Sequence, residues 1–234
     1  MSRAAVPAEV VEILGDVARF GPYFEIVTDL GETGGAAWRP FPDRDTLLAL
    51  TGEYGERLGT GERRVAASLL FQGLAARLWS PVVAAAARGV VPDLAGLRWR
   101  WAPGETVALG LAETRGWRVR DVAEAAGLIH PMVVDGRLRP LRDAMLTFVS
   151  LADGLVWGNA ASALAGSLNV GPPDAARTAL VRELLGREPL AGTGSFGPRG
   201  FVRAGCCLYY RVPGGGMCGD CGLLSRDLRR RPRQ

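Results

Sequence analysis

The chain has 234 residues, 48% of them hydrophobic and 22% charged, with a formal net charge of +4. That length and balance fit one or two globular domains around a proper core and exclude a disordered or low-complexity chain. The basic side chains other than the single histidine are all arginine, so no lysine-based phosphate loop can be present.

Glu9, Glu12 and Asp16 interrupt the first apolar run. No secretory signal is therefore expected, and Pro7 to Phe20 reads as a short helix followed by a brief extended segment over Tyr23 to Thr28. Asp43 is the predicted N-cap of a helix with Leu47, Leu48 and Leu50 on its inner side, broken at Gly59 to Gly61. From Glu62 to Arg88, Val65, Leu69, Leu70, Leu74 and Leu78 recur at helical spacing, and Pro81 kinks or divides the run. The span from Val65 to Ala87 is the most membrane-like of the chain. Gln72, Arg77 and Pro81 interrupt it and alanine contributes little to insertion, so a buried helix pair and no transmembrane segment are expected. Arg77, at the edge of the apolar stripe, is either an ion-paired or snorkelling side chain or a grip for a ligand.

Leu97 to Pro103 alternates in polarity and Thr106 to Leu111 follows a Pro-Gly turn, which predicts a β-hairpin. Trp99 and Trp101 would cover a helical core, and Arg98 and Arg100 would point away. Asp121 to Ala126, Leu138 to Leu151, Gly154 to Leu168 and Pro172 to Leu185 read as further helices. In the third of these, Trp157, Ala161, Leu164 and Leu168 share a face. Asn159 and Ser162 share a neighbouring stripe, where hydrogen bonding between helices is the default role. His130, the only histidine, precedes Pro131 in an expected loop. One histidine cannot furnish a facial-triad iron site or a His-bearing cluster, so a structural role is expected. Gly192 to Gly197 spells G-x-G-x-x-G but lacks the preceding strand and the following helix, and it reads as a loop leading to the last segment. The chain has no Gly-x-Ser-x-Gly elbow and no His-Glu-x-x-His helix.

All four cysteines fall within 16 positions: Cys206-Cys207, ten residues, then Cys218-Gly219-Asp220-Cys221. Thiolates gathered in this way hold an iron–sulfur cluster, hold a structural zinc, or form disulfides. A Cys-x-x-Cys hook turns both sulfurs to one side, and Gly219 and Gly222 are expected to supply the positive φ of such a turn. Adjacent side chains on an extended backbone point to opposite faces, so Cys206 and Cys207 require a bend. A binuclear cluster accepts such a dipeptide with less strain than one tetrahedral zinc. Gly214 to Gly216 would let the backbone approach an inorganic core and aim N–H groups at it, or form a flexible tip. Leu208, Tyr209, Tyr210, Val212 and Met217 would supply a partly apolar wall. Beyond the hook, Arg226, Arg229, Arg230, Arg231 and Arg233 stand against Asp227 alone, a net +4 that equals the charge of the whole chain. Such a tail contacts nucleic acid, acidic lipid or an acidic protein, or is simply solvated.

The pattern Cys-Cys-x10-Cys-x2-Cys resembles the 2Fe-2S signature of the FhuF-type ferric-siderophore reductases. Arg64 to Ser68 with Ala75 to Pro81 is similar to that family's helical block, and Val156 to Leu164 is similar to its Trp-Gly-Asn helix. The resemblance implies that Cys206, Cys207, Cys218 and Cys221 ligate a 2Fe-2S cluster. It implies a cytoplasmic oxidoreductase that passes one electron to a ferric siderophore, hydroxamate in preference, so that Fe(II) is released. No protein acid or base is needed for that transfer. Arg77, Trp157, Asn159 and Ser162 are the candidate siderophore-binding residues. All-cysteine ligation suits a low potential, near the value of about −400 mV for plant-type ferredoxins. No nicotinamide or flavin site is legible, so an external donor such as a ferredoxin or flavoprotein reductase is implied, and no nucleic-acid partner is expected. An iron–sulfur redox sensor and a zinc-stapled interaction module are the alternatives. The fold expected is mainly α with a small β-hairpin (α+β): a helical body over 1–190, a cluster-binding segment over 191–224 and the basic tail over 225–234.

Overall fold

The computed structural model describes residues 3–31, 36–198 and 200–223, and the arginine-rich tail lies outside them. The fold is mainly α with small antiparallel sheets. Strand β1 (Arg3–Ala4) leads into α1 (Pro7–Ala18), which opens on a proline and buries Val10, Leu14 and Val17 one turn apart. Of the extended segment expected over Tyr23 to Thr28, Tyr23 and Phe24 lie in a turn, and one bridge remains, in which Val27 exchanges backbone hydrogen bonds of 2.9 Å with Leu109 and Leu111. Strand β2 (Arg39–Pro40) precedes α2 (Arg44–Arg57), whose first turn is closed by the Asp43 carboxylate accepting from the Thr46 N–H at 3.0 Å. Leu47 and Leu50 are buried beneath α2, while Leu48 lies on its flank, half-buried.

Helix α3 (Arg63–Ala86) is the axis of the molecule. The proline-divided pair expected here is instead one helix of 24 residues with Pro81 inside it. Pro81 removes a backbone hydrogen bond, but Leu78, Trp79, Val82 and Val83 around it are all buried, and that packing outweighs the lost bond. By length and composition α3 is apolar enough to cross a membrane, and 72% of its most apolar window is buried inside this fold.

After α3 the chain forms β3 (Val90–Pro92), β4 (Leu97–Arg100), β5 (Ala108–Leu111) and β6 (Gly116–Arg118). The predicted hairpin is β4–β5, in register Leu97 with Leu111 and Trp99 with Leu109, and β2 extends it. Trp99 is fully buried edge-on against Phe41, with ring centroids 5.2 Å apart. A second sheet, in the order β1-β6-β3, packs through β3 against α3 and α1.

Helix α4 (Val122–His130) then runs directly into a π-helical stretch over Pro131–Leu138 and on into α5 (Arg139–Leu146). The loop expected at His130-Pro131 is therefore absent. The wider π turn makes room for the proline ring, whose missing N–H would otherwise break an α-helical ladder. Helix α6 (Asp153–Gly166) lies along α3 and is buried from Leu155 to Ala165, with Asn159 and Ser162 polar in an otherwise apolar run, as a central helix can be. A 3-10 turn (Ser167–Asn169) and α7 (Ala175–Leu185) follow. The G-x-G-x-x-G stretch is not a loop but a second hairpin, β7 (Gly194–Gly197) with β8 (Gly200–Arg203), packed on α6. Gly200, with φ +99°, makes its turn, and a side chain at Gly194 would run into the Phe201 ring.

Candidate functional site

Strand β8 delivers the chain to the cysteines. Ala204 N–H donates to the Thr193 carbonyl at 2.7 Å, and the backbone then bends at Leu208, whose φ is +70°. This turn follows the Cys206-Cys207 dipeptide, and Leu208 N–H donates to the Cys206 Sγ at 3.3 Å. A non-glycine residue in the left-handed region costs roughly 1–2 kcal/mol, so the surroundings hold Leu208 there. A 3-10 turn over Tyr209–Arg211 follows, and Gly214 and Gly216 turn the chain with φ near +70°. The N–H of Gly215 donates inward to Val212 at 2.9 Å and is not aimed at the cysteines. Leu208 and Val212 are buried as the expected wall, whereas Tyr210 and Met217 are exposed.

In the hook, Cys221 N–H donates to the Cys218 carbonyl at 3.2 Å, and Arg203 N–H donates to the Asp220 carbonyl at 3.1 Å. Gly219 and Gly222 do not have positive φ. Gly222 is needed for a different reason: any side chain there would collide with the Arg203 carbonyl, so only glycine lets the hook lie against β8.

All four thiols are free, with Cys207 and Cys221 buried and Cys206 and Cys218 half-buried. Cys207 and Cys218, one from each half of the motif, line the same cavity and act on each other's ionisation, so the fold brings the two halves together. The Cys207 thiol is lowered to about 6, first because Cys218 donates to its sulfur, with Tyr209 N–H and Arg203 helping and burial and Asp220 opposing. Cys218 is held up correspondingly because it keeps the shared proton. The Cys221 Sγ lies 3.7 Å from the Met217 Sδ. Among the described residues, no three His, Cys, Asp or Glu side chains already stand as a closed ligand set. The donor set nonetheless suits an iron–sulfur group, with four sulfurs on two short loops and one favoured as thiolate.

A buried polar network ties these loops to the helices. Arg203, with only 1% of its side chain exposed, donates from Nε to Asp220 at 3.0 Å, from Nη1 to the Asn159 Oδ1 at 2.6 Å and from Nη2 to the Gln72 Oε1 at 3.2 Å. Asn159 Nδ2 donates to the Ser68 carbonyl at 2.8 Å, and the Ser68 hydroxyl donates to the Cys207 carbonyl at 2.8 Å. Gln72 Nε2 reaches the Ser162 hydroxyl at 3.2 Å. Three of these residues, Arg203, Ser68 and Gln72, were not among the sequence candidates. Gln72 and Ser68 left a trace as polar breaks in an apolar helix, whereas Arg203 left none.

A cleft of about 730 Å³ opens beside the cysteines. Its lining includes Tyr23, Tyr54, Gly73 of α3, Phe196 and Phe201 of the β7–β8 hairpin, and Cys207 and Cys218. Asp220 is the one charged side chain among the described residues lining it, and Arg203 already pairs with it. Of the four predicted siderophore-binding residues, Ser162 alone lines the cleft. Asn159 is fully buried in the network. Trp157 is buried elsewhere, with the Arg139 guanidinium 5.3 Å from its ring centroid. Arg77 packs against Tyr23, donating to the Pro22 carbonyl at 2.7 Å with its guanidinium 4.8 Å over the Tyr23 ring, and burial lowers its pKa. It props Tyr23 and does not line the cleft. His130 does not line it either.

Residues 203–222 match the family model of the FhuF 2Fe-2S C-terminal domain. No curated protein and no solved structure matches the chain. The matched stretch runs from the buried arginine to the glycine that packs against it and takes in every cysteine. Over these residues the chain is similar to the FhuF-type proteins, and the cofactor of the segment is a 2Fe-2S cluster.

Proposed function

We propose that the protein is a ferric-siderophore reductase in which Cys206, Cys207, Cys218 and Cys221 hold the cluster. The observation that carries this reading is the cleft: a cavity of about 730 Å³, the size of a small-molecule site, is lined by two of the four cysteines. When bound, the cluster supplies one electron at a time. The residues of the cleft bind the ferric complex with its iron toward Cys207 and Cys218, and Tyr23, Phe196 and Phe201 shield it from water. The transfer makes Fe(II) from Fe(III), breaks no covalent bond and moves no proton, so no acid or base is needed. Fe(II), less charged and softer, is held far more weakly by hard oxygen donors, and it leaves.

The lining also favours a substrate class. Three singly charged hydroxamates cancel the charge of ferric iron, whereas three doubly charged catecholates leave an anion. A cleft with no cation among its described lining residues suits the neutral complex, since unpaired charge is costly to desolvate. The donor is a separate ferredoxin or flavoprotein, and a reducing compartment such as the cytoplasm keeps the thiols available.

Anaerobically purified protein is expected to be red-brown with iron and inorganic sulfide in equal amounts, and Cys207→Ser is expected to bleach it. Reduced protein mixed with a ferric hydroxamate in stopped flow is expected to reoxidise much faster than in buffer; equal rates, or zinc in place of iron, would sink the proposal. Gly73→Leu places a side chain into open space in the cleft and removes a mid-helix glycine. It is expected to leave the cluster spectrum unchanged and to slow siderophore-dependent reoxidation by about tenfold or more, because misplacing a bound partner by an ångström is enough for that.

A further inference from the structure

We propose that Arg203 and Asp220 form an opposed pair of charges that sets the reduction potential of the cluster, Arg203 raising it and Asp220 lowering it. The inference rests on the four cysteines being the cluster ligands. Arg203 stands three residues before the first cysteine and Asp220 between the last two. Both charges are thereby fixed to the ligand loops.

The Arg203 guanidinium is nearly fully buried and uses all three nitrogens, on Asp220, Asn159 and Gln72. It cannot swing away, and screening by solvent ions is weak at such depth. Two of its three partners are neutral amides, so shape and hydrogen bonding alone would be served by a neutral side chain, without the cost of desolvating a cation. The charge itself therefore has a consequence. Both charges stay beside the cysteines: the Arg203 N–H also donates to the Asp220 carbonyl at 3.1 Å, and Asp220 lies between Cys218 and Cys221. Reduction adds one negative charge to the same place, so a fixed cation favours the reduced state and a fixed anion the oxidised one. Asp220 also lines the cleft, so pairing it with Arg203 keeps that part of the lining free of net charge while the balance sets the potential.

The test is a redox titration of the intact protein, followed by visible absorption and electron paramagnetic resonance, with no siderophore present. Asp220→Asn is expected to shift the reduction equilibrium about tenfold toward the reduced state, a rise of ~59 mV for one electron. Arg203→Gln is expected to shift it about tenfold the other way, and the double variant to return within about threefold of the parent. Arg203→Lys, which keeps the charge, is expected to stay within about threefold as well. A purely structural role predicts shifts of the same sign in both single variants, or none, and either result overturns the proposal. If Arg203→Gln cannot retain iron and sulfide, Asp220→Asn decides alone, and an unchanged or lowered potential overturns it. Parent protein lacking iron and sulfide would overturn the ligand reading and this proposal together, whereas failure to reduce a siderophore leaves the titration valid.

Discussion

Asn159 links the two halves of the molecule through one side-chain amide: its oxygen accepts from Arg203 and its nitrogen donates to Ser68, which in turn holds the Cys207 carbonyl. Asn159→Ala leaves a guanidinium nitrogen and a hydroxyl buried with fewer partners, so a loss of roughly 2–3 kcal/mol is expected in urea unfolding. Mere loss of side-chain volume at a surface site would cost far less, and a change under about 0.5 kcal/mol would show that the network carries little. The cysteines were legible in the sequence because no other residue type clusters in that way without a chemical reason. Arg203 was not legible, because arginine is ordinarily a surface residue. Its burial depends on Asn159 and Gln72, which lie 44 and 131 residues earlier in the chain.

Helix α2 was legible at its start, where Asp43 closes the first turn as its residue type predicts. Thr46, through its hydroxyl and N–H, keeps the Asp43 carboxyl below its ordinary value, and Arg39 assists. Asp43→Ala is expected to cost ~1 kcal/mol and Asp43→Asn only a few tenths, measured by thermal unfolding near neutral pH. Elements whose boundaries depend on proline were misread for a common reason. Pro81 and Pro131 are breakers by local rule, yet α3 continues through one, held by buried Leu78, Trp79, Val82 and Val83, and a π turn absorbs the other, held by buried Ile129, Val133 and Val134. The β7–β8 hairpin was hidden by its glycines, which look like a flexible loop until Phe196 and Phe201 are seen in edge-on contact, 5.6 Å between centroids. Both rings line the cleft.

At the level of the whole chain, the body and the cysteine loops share one core: Leu208 and Val212 belong to the same apolar cluster as α3 and α6. Removing iron with a chelator is therefore expected to leave the helical circular dichroism nearly intact while amides over 204–222 exchange faster, by at least about tenfold. Hydrogen exchange with mass spectrometry would show it, and uniform loss of protection across α3 and α6 would refute it. The socket that receives Arg203 has one more consequence. A chain shortened just ahead of that residue would leave Asn159, Gln72 and Ser68 turned toward an empty space between two apolar helices, and each stranded polar group costs roughly 1–3 kcal/mol. The helical portion would then be recovered as aggregate, so the redox end is a keystone of the fold and not an appended tail.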